Sequence, residues 1–166
     1  QYLTEHVADD ACILYLWQNQ NTVVIGRNQN AWQECRTGLL EQEGGTLARR
    51  LSGGGAVFHD MGNLNFTFSV STGNYDLPRQ QRVILEACRL LGIQAELSGR
   101  NDVTVDGRKF SGNAQYAKRG RIMHHGTIMF SSDLTVLSSA LNVGGDKLPG
   151  GRSAGEPLTG AEGLQL

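Results

Sequence analysis

The sequence predicts an α/β fold of the α+β kind, a mixed, largely antiparallel sheet flanked by helices. Leu64, Phe66, Phe68 and Val70 alternate with Asn65, Thr67 and Ser69, the period of a strand with one face in a core. Asp106-Gly107 and Arg119-Gly120 stand between strand-like runs as tight-turn signals. An apolar stripe at helical spacing follows Pro78, and the order of elements mixes hairpins with helices, without an internal repeat.

Taken in order, Cys12 to Trp17 and Thr22 to Gly26 are rich in β-branched and aromatic residues and are separated by Gln18-Asn19-Gln20-Asn21, which predicts a hairpin. Asn30 to Glu43 sets Trp32, Cys35, Leu39 and Leu40 at helical spacing and ends at Gly44-Gly45, a helix stop. Strands follow at Thr46–Leu51 and Ala56–His59. Pro78 opens a helix whose stripe is Val83, Ile84, Ala87, Cys88 and Leu91, closed by Gly92. Asn101–Val105, Lys109–Ala117 and Arg121–Phe130 form a three-stranded meander. Asp133 is placed to cap a short helix through Leu141. Seven glycines then fall between Gly144 and Gly163 without a period, so residues 1–143 read as one domain and 144–166 as a glycine-rich irregular tail.

Composition narrows the function. A net charge of −1 over 166 residues gives no basic excess to neutralise a phosphate backbone, which excludes a nucleic-acid binder. Apolar runs are short and the start is acidic, which argues against a membrane span or signal peptide. Cys12, Cys35 and Cys88 are far apart and odd in number, suiting a reducing cytoplasm and small buried apolar roles better than disulfides, a zinc site or a thiolate nucleophile.

The most informative segment is Arg49-Arg50-Leu51-Ser52-Gly53-Gly54-Gly55-Ala56-Val57-Phe58-His59-Asp60. Three consecutive glycines let backbone approach a ligand and turn N–H groups toward an anion, and Arg50 adds a planar cationic fork. No Gly-Lys-Ser/Thr follows and the next element reads as a strand, so this is neither a Walker loop nor a dinucleotide fingerprint. By itself a glycine triplet reads first as a hairpin loop. In Asp106 to Gln115, regular alternation puts Lys109, Ser111 and Asn113 on one face, with Gly112 allowing close packing against the other. Lys109 alone reads as a solvated strand lysine. In Met123-His124-His125-Gly126-Thr127, the adjacent histidines point to opposite faces and cannot easily share a metal; structural roles for both are an equal alternative.

Together, and in this order, these segments resemble the lipoate-protein ligase family, whose members carry an R-R-x-S-G-G-G-A-V-F-H-D-x-G-N loop, a K-x-S-G-x-A strand and an H-H-G-T strand. Leu16-Trp17-Gln18-Asn19, Thr22 to Arg27, Asn63-Leu64-Asn65 and Ser98-Gly99-Arg100-Asn101-Asp102 are similar to further family signatures, and the likeness runs from Cys12 to Leu141. The resemblance implies the biotin/lipoate protein ligase catalytic fold. It also implies a two-step reaction: ATP activates lipoate as lipoyl-adenylate, then a lysine of an acceptor lipoyl domain displaces AMP.

The acceptors so implied are lipoyl domains of 2-oxoacid dehydrogenase complexes or the glycine cleavage H protein, and magnesium would accompany pyrophosphate without direct protein ligands. Lys109 is the implied catalytic residue, bridging carboxyl and α-phosphate; Arg50, Gly55, Ala56, Val57 and Phe58 join it in holding ATP. Trp17, Arg50, Ser52, Gly54, His59, Lys109, Ala114 and His125 occupy lipoate positions, and Asp102 is a candidate for receiving the ammonium or organising magnesium, against a turn-stabilising role.

Family members begin with a further strand and helix and often add an accessory domain. The resemblance therefore implies an incomplete N-terminus, low activity in isolation, and a separate accessory polypeptide as in split relatives. Rivals are an octanoyl or lipoyl transferase with a cysteine nucleophile, a biotin-protein ligase, and a binding module without catalysis.

Overall fold

A computed structural model describes residues 1–99, 102–132 and 141. In chain order the elements are α1 (Tyr2–His6), β1 (Cys12–Trp17), β2 (Thr22–Ile25), α2 (Ala31–Glu34), α3 (Thr37–Gln42), β3 (Thr46–Arg49), β4 (Val57–His59) and β5 (Asn63–Ser71). After a 3₁₀ turn come α4 (Leu77–Leu90), β6 (Ala95–Ser98), β7 (Asp102–Val105), β8 (Arg108–Lys118) and β9 (Arg121–Met129). The strand start at Asn101, the tail from 144 and the predicted helix from Asp133 lie outside the described residues, except that Leu141, its expected end, is described and stands in a β-bridge. Two compact units result: Gln1–Trp17 with Leu64–Met129, and Gln18–Asn63 with the segment from Phe130 onward.

The first unit is a six-stranded sheet in the order β1-β5-β9-β8-β7-β6. The predicted meander β7-β8-β9 is present, its two turns closed by Asp106-Gly107 and Arg119-Gly120 with φ of 50°, 75°, 49° and 73°, the paired positive values of a mirror-image hairpin turn. β6 extends it through antiparallel pairing with β7; the alternation of Ala95-Glu96-Leu97-Ser98 is short and has no β-branched residue, and the sequence reading missed it. One sheet face carries α4. Asp76 caps this helix, its carboxylate accepting from the Arg79 amide at 3.0 Å, and Gly92 at φ +79° ends it. Its buried stripe is Gln80, Ile84 and Cys88; Val83, Ala87 and Leu91, assigned to the stripe from sequence, are exposed. Ile84 packs with Phe66 and Phe68, and Cys88 with Val103 and Phe110.

β5 departs from the one-sided pattern its alternation predicts. Asn65, Ser69 and Ser71 are buried as well, because each meets a polar partner: Ser69 Oγ lies 2.8 Å from Thr4 Oγ1 of α1, Ser71 donates to the Asp9 carbonyl at 2.7 Å, and Asn65 donates to the Trp17 carbonyl at 3.3 Å.

The second unit is a small sheet ordered β3-β2-β4, with β2 parallel to β3 and antiparallel to β4. The hairpin predicted for Cys12–Gly26 is therefore corrected: both halves are strands, but β1 pairs with β5 and β2 with β3 and β4. Long-range pairing overrides the short polar link. The single helix predicted over Asn30–Glu43 is likewise two, α2 and α3. Cys35 between them is extended, at φ −141° and ψ 141°, and bridges to Leu141. Val23, Ile25, Cys35, Leu40, Phe58 and Leu141 form this unit's core, and burying Cys35 there accounts for the break. Cys88 is also buried, whereas Cys12, read from sequence as buried, is exposed. Among the described residues no helix is long and apolar enough to cross a membrane.

Candidate functional site

In the first unit the candidate residues gather on the sheet face opposite α4, and an irregularity in β8 puts them there. β7 and β8 pair Val103 with Ser111 but Thr104 with Lys109, so Phe110 is an extra residue, a β-bulge. Phe110 and Ser111 both turn toward α4 and are buried, at 8% and 0% exposure. The predicted face shared by Lys109, Ser111 and Asn113 is thereby corrected: across the bulge Lys109 shares its face with Gly112 and Ala114 instead.

Three observations agree on that face. A Cβ built on Gly112 would stand 3.4 Å from Lys109 Cε and 3.6 Å from its Nζ. Ala114 is the register partner of His125, whose neighbour His124 is buried beneath α4. Trp17, paired with Asn65, stands on this side too, its indole donating to Thr67 Oγ1 at 3.3 Å. Asp102 completes the set: its carboxylate receives the Lys109 ammonium at 2.9 Å, directly over Gly112. Both side chains are about 40% exposed, so the pair is solvated and separable. Asn65, Gly112 and Thr127 belong to the same face; Gly112 was assigned from sequence to the other side, and only the bulge reveals its role.

His124 has a structural part. It lies between Phe66 and Phe68, donates from Nδ1 to Gln80 Oε1 at 2.9 Å, and its Nε2 is buried without a hydrogen-bond partner. Burial pushes its pKa down to about 4, which keeps the ring neutral.

The second unit holds the glycine loop. Arg50 spends its fork on the loop itself: Nε and Nη2 donate to the Gly53 carbonyl at 3.2 and 2.9 Å, Nη2 to Gly55 at 2.7 Å, and Nη1 to Val24 at 3.1 Å. Burial lowers its pKa from the ordinary arginine value. Four donations onto carbonyls turn the strand-like loop outward: Gly53, Gly54 and Gly55 are exposed, and open space stands where a Cβ on Gly53 or Gly55 would point. Backbone exposed in this way is accessible to an anion's oxygens. Ser52, by contrast, is buried, and its carbonyl accepts from the Arg27 amide at 2.9 Å.

β4 then begins. Phe58 points into the core, and Ala56 packs against that cluster, so a nucleotide could use these residues through backbone; β4 is an edge strand, whose amides not facing β2 point outward. His59 is buried, with Nδ1 3.4 Å from Asn19 Nδ2, and burial together with the Arg50 charge pushes its pKa down to about 4. Among the described residues no group of three or more His, Cys, Asp or Glu could hold a metal ion.

Residues 1–155 match the family described as the lipoyl protein ligase A/B catalytic domain. The chain is 45% identical over 151 residues to the lipoate-protein ligase LplJ of Bacillus subtilis, an alignment covering 89% of this chain and 46% of that protein. It thus spans about half the length of the curated relatives it matches. Among solved structures it is similar to LipL1 of P. falciparum in complex with lipoate, at 39% identity and a TM-score of 0.74, covering 78% of this chain and 39% of that one. A lipoate-protein ligase A bound with ATP superposes with a TM-score of 0.74 at 30% identity, covering 86% and 64%. A bipartite lipoate protein ligase from Thermoplasma acidophilum, studied with its E2 lipoyl domain, gives 0.72 at 33% identity, covering 81% and 55%.

Proposed function

The chain belongs to the lipoyl protein ligase A/B catalytic domain family, and from that premise we propose that it activates lipoate with ATP and passes the lipoyl group to a lysine of an acceptor lipoyl domain. The observation that carries this reading is the shared face of Lys109, Gly112, Ala114, His125 and Trp17. A cation beside small and aromatic side chains suits a fatty acid, whose charged head and apolar tail need both. β1 and β8 are three strand spacings apart, roughly 14 Å at ~4.8 Å each, room for an extended short chain.

In the first step a lipoate carboxylate oxygen attacks the α-phosphorus of ATP; that P–O bond forms as the bond to pyrophosphate breaks and its electrons leave with pyrophosphate. Lys109 leaves Asp102 to bridge carboxylate and α-phosphate, offsetting the repulsion between two anions as charge builds in the transition state. Arg50 holds the glycine loop so that the backbone of Gly55, Ala56, Val57 and Phe58 receives phosphate oxygens, while Ser52, Gly54 and His59 take part in lipoate binding. Magnesium would supply charge neutralisation on pyrophosphate, with Asp102 as the candidate carboxylate to organise it.

In the second step the acceptor amine attacks the acyl carbon, AMP leaves with the acyl–oxygen electron pair, and the amide forms with loss of a proton. The bipartite ligase and its E2 lipoyl domain support lipoyl domains as acceptors and an accessory polypeptide as a complement; the proposed setting of the reaction is the cytoplasm. The thiols offer little to a cysteine transferase: Cys35 and Cys88 are buried, and burial raises the pKa of all three.

The test is a single-turnover assay by mass spectrometry with excess protein, ATP and lipoate, octanoate or biotin, then an apo lipoyl domain. Lipoyl-adenylate and pyrophosphate, then acceptor modification, are expected. Acyl transfer between proteins without ATP would replace this reading with the transferase, and lipoate binding without adenylate would replace it with the binding module.

A further inference from the structure

The consecutive arginines divide their work. Arg50 holds the glycine loop, but Arg49 turns to a different loop, the bend that leaves β2: its Nη1 lies 3.1 Å from the Gly26 carbonyl, 3.1 Å from that of Arg27 and 2.6 Å from that of Gln29. Gln29 closes the bend further, its Oε1 accepting from the Gly26 amide at 2.7 Å. This bend is seated on the glycine loop. The Arg27 amide donates to the Ser52 carbonyl at 2.9 Å, and a Cβ on Gly26 would collide with the carbonyl oxygen of Gly54. That obstacle is backbone, which cannot swing aside as a side chain does, so a side chain at 26 displaces Gly54 or the bend itself.

We infer that Arg49 and Gly26 are positioning residues for the glycine loop, setting from behind the curvature that an acyl nucleotide meets in front. This rests on the proposed function, since it assigns the loop to the adenylate. Arg49 is exposed, so a lone surface ion pair would give its charge little effect; three converging carbonyls instead fix the bend that supports Ser52 and Gly54. Neither residue needs to touch the ligand. Their loss therefore weakens affinity through the loop, leaving the reacting groups in place.

The experiment measures binding of a non-hydrolysable lipoyl-adenylate analogue to the parent chain and to Gly26→Ala, Arg49→Met and Arg49→Lys, with urea midpoints for each. Gly45→Ala is the control for general steric damage in the same unit, because a Cβ there collides with Leu40, away from the loop. Expected are losses of about tenfold or more for Gly26→Ala and Arg49→Met, partial rescue by Arg49→Lys, and little change for Gly45→Ala. In steady-state assays the loss should fall on KM more than on kcat.

Affinity near the parent's in both Gly26→Ala and Arg49→Met, or an equal loss in Gly45→Ala, overturns the inference. If Gly26→Ala does not fold, the two Arg49 variants decide. If the parent itself binds neither analogue nor ATP, the proposed function fails instead.

Discussion

Arg50 and Lys109 are both cations assigned to phosphate chemistry, yet the two units hold them in opposite ways. Arg50 is half-buried and donates to carbonyls of Val24, Gly53 and Gly55. Lys109 is half in solvent and joined to the carboxylate of Asp102. An interaction already complete before substrate arrives shapes a surface. One that must be exchanged can be stronger in the transition state than in the ground state, which is what acceleration requires. The difference teaches that charge near a candidate site is not one role: the guanidinium is a frame and the ammonium is a movable charge.

The largest expected effect is on Lys109. Lys109→Ala should lower single-turnover adenylation by about 10²–10³, the range for removing a preorganised electrostatic group, without moving the urea midpoint. A rate near the parent's would break the comparison on the lysine side. Arg50→Met should instead lose both properties, destabilising the second unit by about 2 kcal/mol while weakening ATP binding, because carbonyls lose a charged donor. Arg50→Lys restores less than full function, since a point charge cannot span several acceptors. Lost binding with an unchanged midpoint would show the guanidinium acting on ligand alone.

Two histidines sharpen the contrast through pH. His59 and His124 are both held near pKa 4, below the unfolded value of about 6.5, so between those limits the unfolded chain binds more protons. Stability is full at pH 7 and falls as pH drops through 6.5 toward 4, by on the order of 1–2 kcal/mol for each histidine at pH 5. Urea midpoints at the two pH values check this. Arg50→Met should reduce the pH dependence, since the arginine charge contributes only to the His59 shift; an unchanged slope counts against that coupling. The smallest effect is at Gly112. Alanine there meets Lys109 at ordinary contact distance, whereas Gly112→Val should crowd the ion pair and slow adenylation about tenfold. Equal rates for the two variants would show that the space over Gly112 is irrelevant.

Much of this was legible in the sequence where the signal was local. Asp106-Gly107 and Arg119-Gly120 announced the meander, and Pro78 with Gly92 bounded α4 nearly to the residue. What escaped was long-range. Gln18–Asn21 reads as a hairpin turn, but pairing sends its flanking strands into different sheets. β6 alternates over only four residues, Ala95-Glu96-Leu97-Ser98, without a β-branched side chain, and it is completed by pairing with β7. The bulge at Phe110 has no sequence mark, so alternation misassigned the faces of Ser111, Gly112 and Asn113 relative to Lys109. Arg50 was visible as a cation beside glycines; that its donors serve the loop depends on chain folded back from Val24.

Separate cores in the two units have a practical consequence for spectroscopy. The chain contains two tryptophans, Trp17 in the first unit and Trp32 in the second, so each unit carries its own intrinsic fluorophore. Trp17 is partly sheltered and hydrogen-bonded to Thr67, while Trp32 is 79% exposed, and their emission should differ in wavelength before denaturation begins. Replacing either by phenylalanine isolates the other as a reporter, making it possible to see whether the units melt at one denaturant concentration or at two.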